Sequence, residues 1–192
     1  MAKKYEFQPD RPYSNWLNKL QLTKLQQKQL LKWCLYGLLL IVLSVLQDVV
    51  FSRMRIWGGT TDLIPCAIFT IGIREGTQKC SVFALTASIL YLLSGSAPGT
   101  HVLVLITILA VLAEAFRQTY LQPGILSTLF CVLITMAIYE MSIFGFCMLV
   151  GQVTAIRWLS FLVPAVLSVV VVPVIYPVVN IIGRIGGEAW NE

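Results

Sequence analysis

The chain alternates between continuous apolar runs and short polar turns. Within each run the apolar residues follow one another without the strict alternation of a barrel strand, so the pattern favours helices. The six runs cover residues 31–51, 63–73, 80–93, 101–116, 125–150 and 157–182. The pattern therefore predicts an all-α protein of about six helices, with the second and third forming a short hairpin.

Run length decides which of these helices can cross a bilayer. The first run, residues 31–51, extends about 31 Å as a helix, enough for a hydrocarbon core of about 30 Å. Residues 63–73 and 80–93 extend only about 16 and 21 Å. Either this hairpin crosses a thinned bilayer with help from its turn residues, or it is a re-entrant hairpin buried by the other helices. The sequence leaves both arrangements open.

Composition identifies lipid as the solvent for most of the chain. Its 192 residues are 57% hydrophobic and 12% charged, whereas soluble domains carry about 25% charged residues. A soluble fold of this size has too little interior to bury so much apolar surface. We therefore expect a polytopic membrane protein.

The placement of positive charge predicts its orientation. The net charge is +5, and seven of the fourteen Lys and Arg residues lie within the first 32 residues. This bias is typical of a cytoplasmic N-terminus and does not indicate nucleic-acid binding. We divide the chain into a basic cytoplasmic segment (1–30), a transmembrane helical domain (31–184) and a short cytoplasmic tail (185–192). With six spans both termini are cytoplasmic.

No motif for catalysis or for a cofactor occurs in the sequence. The five cysteines form no CxxC pair and there is one histidine. No nucleophile elbow, phosphate-binding loop or zinc-protease motif is present. We expect a protein that is not an enzyme and has no cofactor or metal site; an intramembrane enzyme is the least favoured class.

Four acidic residues lie within or beside the apolar runs, where a charge costs about 2.5–3.5 kcal/mol at the bilayer centre. Two have an arginine nearby in sequence: Asp48 precedes Arg53, and Glu114 is three residues before Arg117. We expect both to be paired or interfacial. The other two are Asp62 and Glu140.

Asp62 and Glu140 have different settings. Asp62 directly precedes the second apolar run and Pro65 falls in its first turn, so Thr61 or Asp62 is expected to cap a helix. Glu140 lies midway along the fifth run, beside Tyr139 and far from any other charge in that run. We expect Glu140 to hydrogen-bond to other helices, and contact with a partner or a ligand is the alternative.

Four short motifs follow one another in a fixed order along the chain. They are Thr61-Asp62-Leu63-Ile64, Arg74-x-Gly76, Leu92-Leu93-Ser94-Gly95-Ser96-Ala97-Pro98-Gly99, and Tyr176-Pro177 followed by Arg184. This ordered set resembles the MreD family, small integral membrane proteins of the bacterial rod-shape system. The chain departs from the family pattern at Tyr91, where the family has Asp, and at Thr61, where it has Pro.

The resemblance implies a fold, a function and a set of partners. The fold would be similar to the six-helix substrate-binding subunits of energy-coupling-factor transporters. The function would be that of a non-enzymatic scaffold or regulatory subunit of cell elongation and peptidoglycan synthesis, in the bacterial cytoplasmic membrane. The implied partners are an MreC-like protein, a RodA-like glycosyltransferase, a class B penicillin-binding protein and an MreB-like filament.

The same resemblance selects possible partner-contact residues, to which the residue-based reasoning adds Glu140. They are Asp62, Arg74, Gly76, Tyr91, Ser94, Gly95, Pro98, Gly99, Glu140, Tyr176 and Pro177. The alternative function is that of a substrate-binding membrane subunit of an energy-coupling-factor-type vitamin transporter.

Overall fold

The protein is described by a computed structural model that covers residues 24–49, 61–122, 124–151, 153 and 158–185. These residues form six α-helices and contain no strand. The helices are α1 (Lys24–Val49), α2 (Leu63–Glu75), α3 (Thr77–Leu93), α4 (His101–Tyr120), α5 (Ile125–Leu149) and α6 (Trp158–Ile185). The prediction of an all-α fold with a short α2–α3 hairpin is confirmed.

Four of these helices, α1, α4, α5 and α6, are long and apolar enough to cross a membrane. Their outward faces carry exposed apolar side chains such as Leu38, Ile108 and Val170, which suit contact with lipid rather than water. The helices α2 and α3 are shorter, at 13 and 17 residues. The chain is therefore a multi-pass α-helical membrane protein.

The centre of the bundle is α2. Every residue from Leu63 to Ile73 is buried, and α2 packs against each of the other five helices. A helix that is apolar on all sides is stable only when other helices surround it. The sequence LIPCAIFTIGI therefore forms the core of the fold, although it is too short to be recognised as a span by length.

Helix directions bring the positive charges to one end of the molecule, which we call the basic end. Near the start of α1, Lys32 contacts Glu75 at the end of α2. Arg74 contacts Asn180 near the end of α6. The helix α3 starts and α4 finishes at this same end, so all lysines and arginines of the described residues lie there. They are Lys24, Lys28, Lys32, Arg74, Lys79, Arg117 and Arg184.

The helices extend beyond the apolar runs that predicted them. The helix α1 begins at Lys24, before its apolar run, and α3 begins at Thr77. The helix α4 continues to Tyr120, past the end of its apolar run. The helix α6 is continuous through Pro164, Pro173 and Pro177. Of the predicted segments 1–30 and 185–192, only residues 24–30 and 185 fall within the described residues.

Candidate functional site

A polar cluster holds the beginning of α2, and we call it the Gln47 cluster. Gln47, near the end of α1, accepts hydrogen bonds at Oε1 from the backbone N–H groups of Leu63 (2.9 Å) and Ile64 (3.2 Å). The first N–H groups of a helix have no partner within the helix. Gln47 therefore caps α2 from another helix.

The prediction that the side chain of Thr61 or Asp62 caps α2 is wrong. Thr61 Oγ1 has no hydrogen-bond partner among the described residues. Asp62 makes no capping hydrogen bond, because Gln47 already accepts the hydrogen bonds of the first N–H groups. The Asp62 carboxylate instead accepts a hydrogen bond at Oδ1 from Gln47 Nε2, at 3.3 Å. The Asp62 backbone N–H donates to Ser168 Oγ on α6, at 2.9 Å. Asp62 thus joins the ends of α1 and α2 to the middle of α6.

A second cluster, the Glu75 cluster, holds the other end of α2. Lys32 Nζ lies 2.5 Å from Glu75 Oε2, and the two side chains are 5% and 1% exposed. The hydroxyl of Tyr36 donates a hydrogen bond to Glu75 Oε1, at 2.7 Å. Losing one partner of such a pair leaves an uncompensated buried charge. The pair therefore fixes the end of α2 against α1.

Arg74 connects the same end of α2 to α6. Its Nη1 donates a hydrogen bond to the side-chain oxygen of Asn180. A Cβ atom at Gly183 would collide with the Arg74 guanidinium, so glycine at that position leaves room for the arginine. One turn before Asn180 on α6, Tyr176 is partly buried and Pro177 is exposed. The predicted site residues Arg74 and Tyr176 thus share one end of the bundle, and only Arg74 joins two helices through a hydrogen bond within the described part of the chain.

Gly76 makes the turn from α2 to α3 possible. Its φ is +85°, a region that side chains other than glycine rarely adopt. Its carbonyl accepts a hydrogen bond from the backbone N–H of Cys80, at 2.8 Å. The predicted motif Arg74-x-Gly76 is therefore the turn that connects the end of α2 to the beginning of α3.

The motif after α3 is also held by local hydrogen bonds. Tyr91 is buried, and its hydroxyl donates to the backbone carbonyl of Ser96, at 3.4 Å. Ser94 Oγ donates to the Tyr91 carbonyl, at 2.7 Å. Ser96 Oγ donates to Asp48 Oδ1, at 3.2 Å, which links this turn to the end of α1. The residue Arg53 that we expected near Asp48 lies outside the described residues.

Three further residues of this motif complete the turn. Gly95 has φ +76°, again in the region that favours glycine. Pro98 is exposed and Gly99 partly exposed. Tyr91, by contrast, is buried and faces the interior of the bundle.

Glu140 lies inside the bundle and is 4% exposed. Its Oε1 accepts no hydrogen bond from the residues that the structure describes, so the expected bond to other helices is absent at this oxygen. Its neighbour Tyr139 is fully buried, with its ring edge against Phe69 at 6.3 Å. Among the buried acidic residues of the described chain, Glu140 is the one whose contacts give the least explanation of its role.

The predicted pairing of Glu114 is confirmed. Arg117 Nη2 lies 3.6 Å from Glu114 Oε1, three residues along the same helix. Gln118 Nε2 also donates to Glu114 Oε1, at 2.6 Å. This carboxylate is buried and its negative charge is matched locally.

The predicted site residues are distributed over both ends of the hairpin and do not form one reaction centre. Asp62, Tyr91 and the turn after α3 lie at one end of α2, and Arg74 and Gly76 at the other, about 20 Å away along a 13-residue helix. Within the described residues, no three His, Cys, Asp or Glu side chains come together as a metal site. The arrangement is one of anchors that hold α2 in the bundle.

Sequence reasoning missed the residues that hold the two clusters together. Gln47 reads as one polar residue in an apolar run, and Ser168 as one of many small residues. Lys32 was counted only as a positive charge and Glu75 only as part of a charged turn. The available signal was that a lysine and a glutamate both border apolar runs, where an unpaired charge is costly.

Comparisons of the chain with family models, with curated proteins and with solved structures gave no match. The fold and the two clusters define a multi-pass α-helical membrane protein with a central buried helix, α2. The resemblance to the MreD family stays a prediction.

Proposed function

We propose that this chain is a non-enzymatic scaffold or regulatory subunit of the bacterial cell-elongation machinery. The observation that carries the proposal is the ordered set of motifs between Thr61 and Arg184. Within the fold, the motif residues Asp62, Arg74 and Gly76 have structural roles at the ends of α2. A scaffold needs a rigid bundle that presents its outer surface to partners, and anchoring roles of this kind suit it.

We also propose the orientation that the positive charges favour. The basic end faces the cytoplasm of a bacterial cell, because loops rich in lysine and arginine remain on that side. Both termini are then cytoplasmic. We propose six membrane crossings, an arrangement supported by α2 and α3 running in opposite directions between the Glu75 cluster and the Gln47 cluster.

The partners of this proposal are the membrane and cytoplasmic components of cell elongation. They are an MreC-like protein, a RodA-like glycosyltransferase, a class B penicillin-binding protein and an MreB-like filament. Contact with them takes place on exposed surface, so the partly buried Asp62 and the buried Tyr91 act by fixing the shape of the bundle. The exposed motif residues available for direct contact include Ser94, Gly95, Pro98 and Pro177.

Affinity purification tests the proposal. The tagged full-length chain is purified from crosslinked membranes of the bacterium that encodes it, and the proteins recovered are identified by mass spectrometry. An unrelated tagged polytopic protein expressed at the same level is the control. We expect enrichment of an MreC-like protein over the control. Equal recovery in both samples would contradict the proposal.

The unpartnered Oε1 of Glu140 favours one second candidate, the substrate-binding subunit of a vitamin transporter. A buried polar atom without a partner is a common feature of a ligand site. The purified protein would then retain a vitamin-like molecule, which mass spectrometry of the denatured sample detects. Absence of such a ligand, together with normal vitamin uptake after deletion, would exclude this candidate.

A further inference from the structure

An open groove runs between α1 and α3 on the outer surface of the bundle, and we call it the α1–α3 groove. It has a volume of about 550 Å³ and is almost entirely apolar. The helix α1 is the least enclosed of the four long helices, since a smaller share of its residues is buried than in the other three. The residues that carry the argument are Trp33, Gly37 and Leu40 of α1 and Lys79, Phe83 and Leu90 of α3.

Charge is confined to the basic end of the groove. Lys79 lines the groove there and is exposed, and it forms no ion pair with any residue in the described ranges. Trp33 lies at the same end, with its ring 5.6 Å from that of Phe83. Tryptophan and lysine are the side chains that membrane proteins place at the level of lipid headgroups. The groove therefore has a cationic, headgroup-level end and an apolar body.

The length of the groove matches one leaflet. From Lys79 to Leu90, α3 rises about 16 Å, and half of a hydrocarbon core is about 15 Å. A second apolar groove of about 290 Å³ continues from Leu40 and Leu90 toward Ser94. That continuation has no lysine or arginine in its lining, so only the end at Lys79 is complementary to an anion.

Gly37 adds an independent observation. It lies in the interior of α1 and lines the groove, and a Cβ atom built there would meet nothing within 4 Å. Glycine is a weak helix former, and the packing of the described chain gives no reason for it at this position. Because glycine has no side chain, the groove is deeper at Gly37 and leaves room for a molecule that is not part of the chain.

We propose that the α1–α3 groove binds one anionic phospholipid of the cytoplasmic leaflet. Its headgroup phosphate is held by the ammonium group of Lys79 beside Trp33, and an acyl chain lies along Gly37 toward Leu90. A transmembrane helix of a partner protein is the competing occupant. The lipid is favoured because the single positive charge is at headgroup level and the apolar body is one leaflet long.

Native mass spectrometry of the purified full-length protein tests this proposal. The protein is prepared in nanodiscs of equal parts phosphatidylglycerol and phosphatidylcholine with identical acyl chains, and the retained lipids are counted after release. We expect the wild-type chain to retain phosphatidylglycerol preferentially. Lys79→Gln should lower this preference about fivefold, the effect of one lysine near a membrane surface. Equal retention of the two lipids by the wild-type chain would overturn the proposal.

Lys28→Gln is the matched control. Lys28 is also exposed at the basic end but does not line the groove. Its replacement should leave the preference for phosphatidylglycerol unchanged. If Lys28→Gln lowers the preference as much as Lys79→Gln does, the attraction is general to the basic end and the proposed site is wrong.

Filling the groove tests its apolar body. Gly37→Leu should reduce retention of both lipids, and Gly37→Ala, which leaves most of the groove open, should retain them as the wild type does. Thermal unfolding of each variant checks that the bundle is intact. If Gly37→Leu retains lipid normally but no longer recovers a protein partner from membranes, a partner helix occupies the groove and the lipid proposal is overturned.

Discussion

Gln47, and not Asp62, caps the beginning of α2. Asp62 directly precedes α2 but does not cap it, whereas Gln47, on a different helix, accepts the hydrogen bonds of the first N–H groups of α2 and donates to Asp62 at 3.3 Å. The beginning of the central helix is thus held by tertiary contact. This relationship makes α2 dependent on α1.

Replacing Gln47 should destabilise the bundle. In Gln47→Leu, two buried N–H groups of α2 lose their acceptor, and an unsatisfied buried group costs about 1–3 kcal/mol. Asp62→Asn is the control, because its side-chain oxygen still accepts from Gln47 and it caps nothing. We expect a loss in this range for Gln47→Leu and less than about 1 kcal/mol for Asp62→Asn, measured by titration of the purified protein with SDS. Equal losses would show that Asp62 is the cap after all.

The Lys32–Glu75 pair predicts strong coupling in a double-mutant cycle. Lys32→Met leaves the buried Glu75 carboxylate without its cation, which costs about 3–5 kcal/mol. Glu75→Gln keeps an oxygen that can accept from Tyr36 but removes the charge. The double variant Lys32→Met with Glu75→Gln should therefore recover most of the stability lost in Lys32→Met. Additive losses in the same unfolding assay would argue against a buried ion pair.

Two helical glycines predict opposite responses to the same substitution. A Cβ atom at Gly72 on α2 would lie 2.7 Å from Cys80 Sγ on α3, whereas one at Gly37 would meet nothing. Gly72→Ala should destabilise the protein by about 1–3 kcal/mol through overpacking. Gly37→Ala should be neutral or stabilising by up to about 1 kcal/mol, since alanine favours helix. Similar effects at both positions would contradict the packing of α3 against α2.

Cysteine labelling in intact cells tests the proposed orientation. Single cysteines are introduced at Thr100, in the turn after α3, and at Lys79, at the basic end, in a chain whose own cysteines are replaced by serine or alanine. A membrane-impermeant maleimide should label Thr100→Cys from outside. It should label Lys79→Cys only after the membrane is permeabilised. The reverse pattern would place the basic end outside and refute the orientation.

The sequence predicts the helices well because hydrophobicity acts along the chain. The apolar runs identified all six helices, and the pairing of Glu114 with Arg117 followed from helical spacing. The helix ends were missed where polar residues such as Thr77 and Tyr120 continue a helix beyond the apolar run. Hydropathy does not detect such extensions, since backbone hydrogen bonds continue regardless of side-chain polarity.

The two clusters were less predictable because their partners are distant in sequence. Gln47 caps a helix that begins sixteen residues later, and Glu75 pairs with a lysine from the start of α1. A single sequence does not specify which helices become neighbours. The Asp62 prediction was wrong for the same reason: local rules ignore a glutamine supplied by another helix.

We propose that this chain serves cell elongation without catalysing a reaction. Cell shape after depletion of the chain in its own bacterium tests that claim most directly, with re-expression of the wild-type chain as the control. We predict that rod-shaped cells become wide and round as the chain is lost and return to rods on re-expression. Cells that keep their rod shape and normal width after complete depletion would contradict the claim.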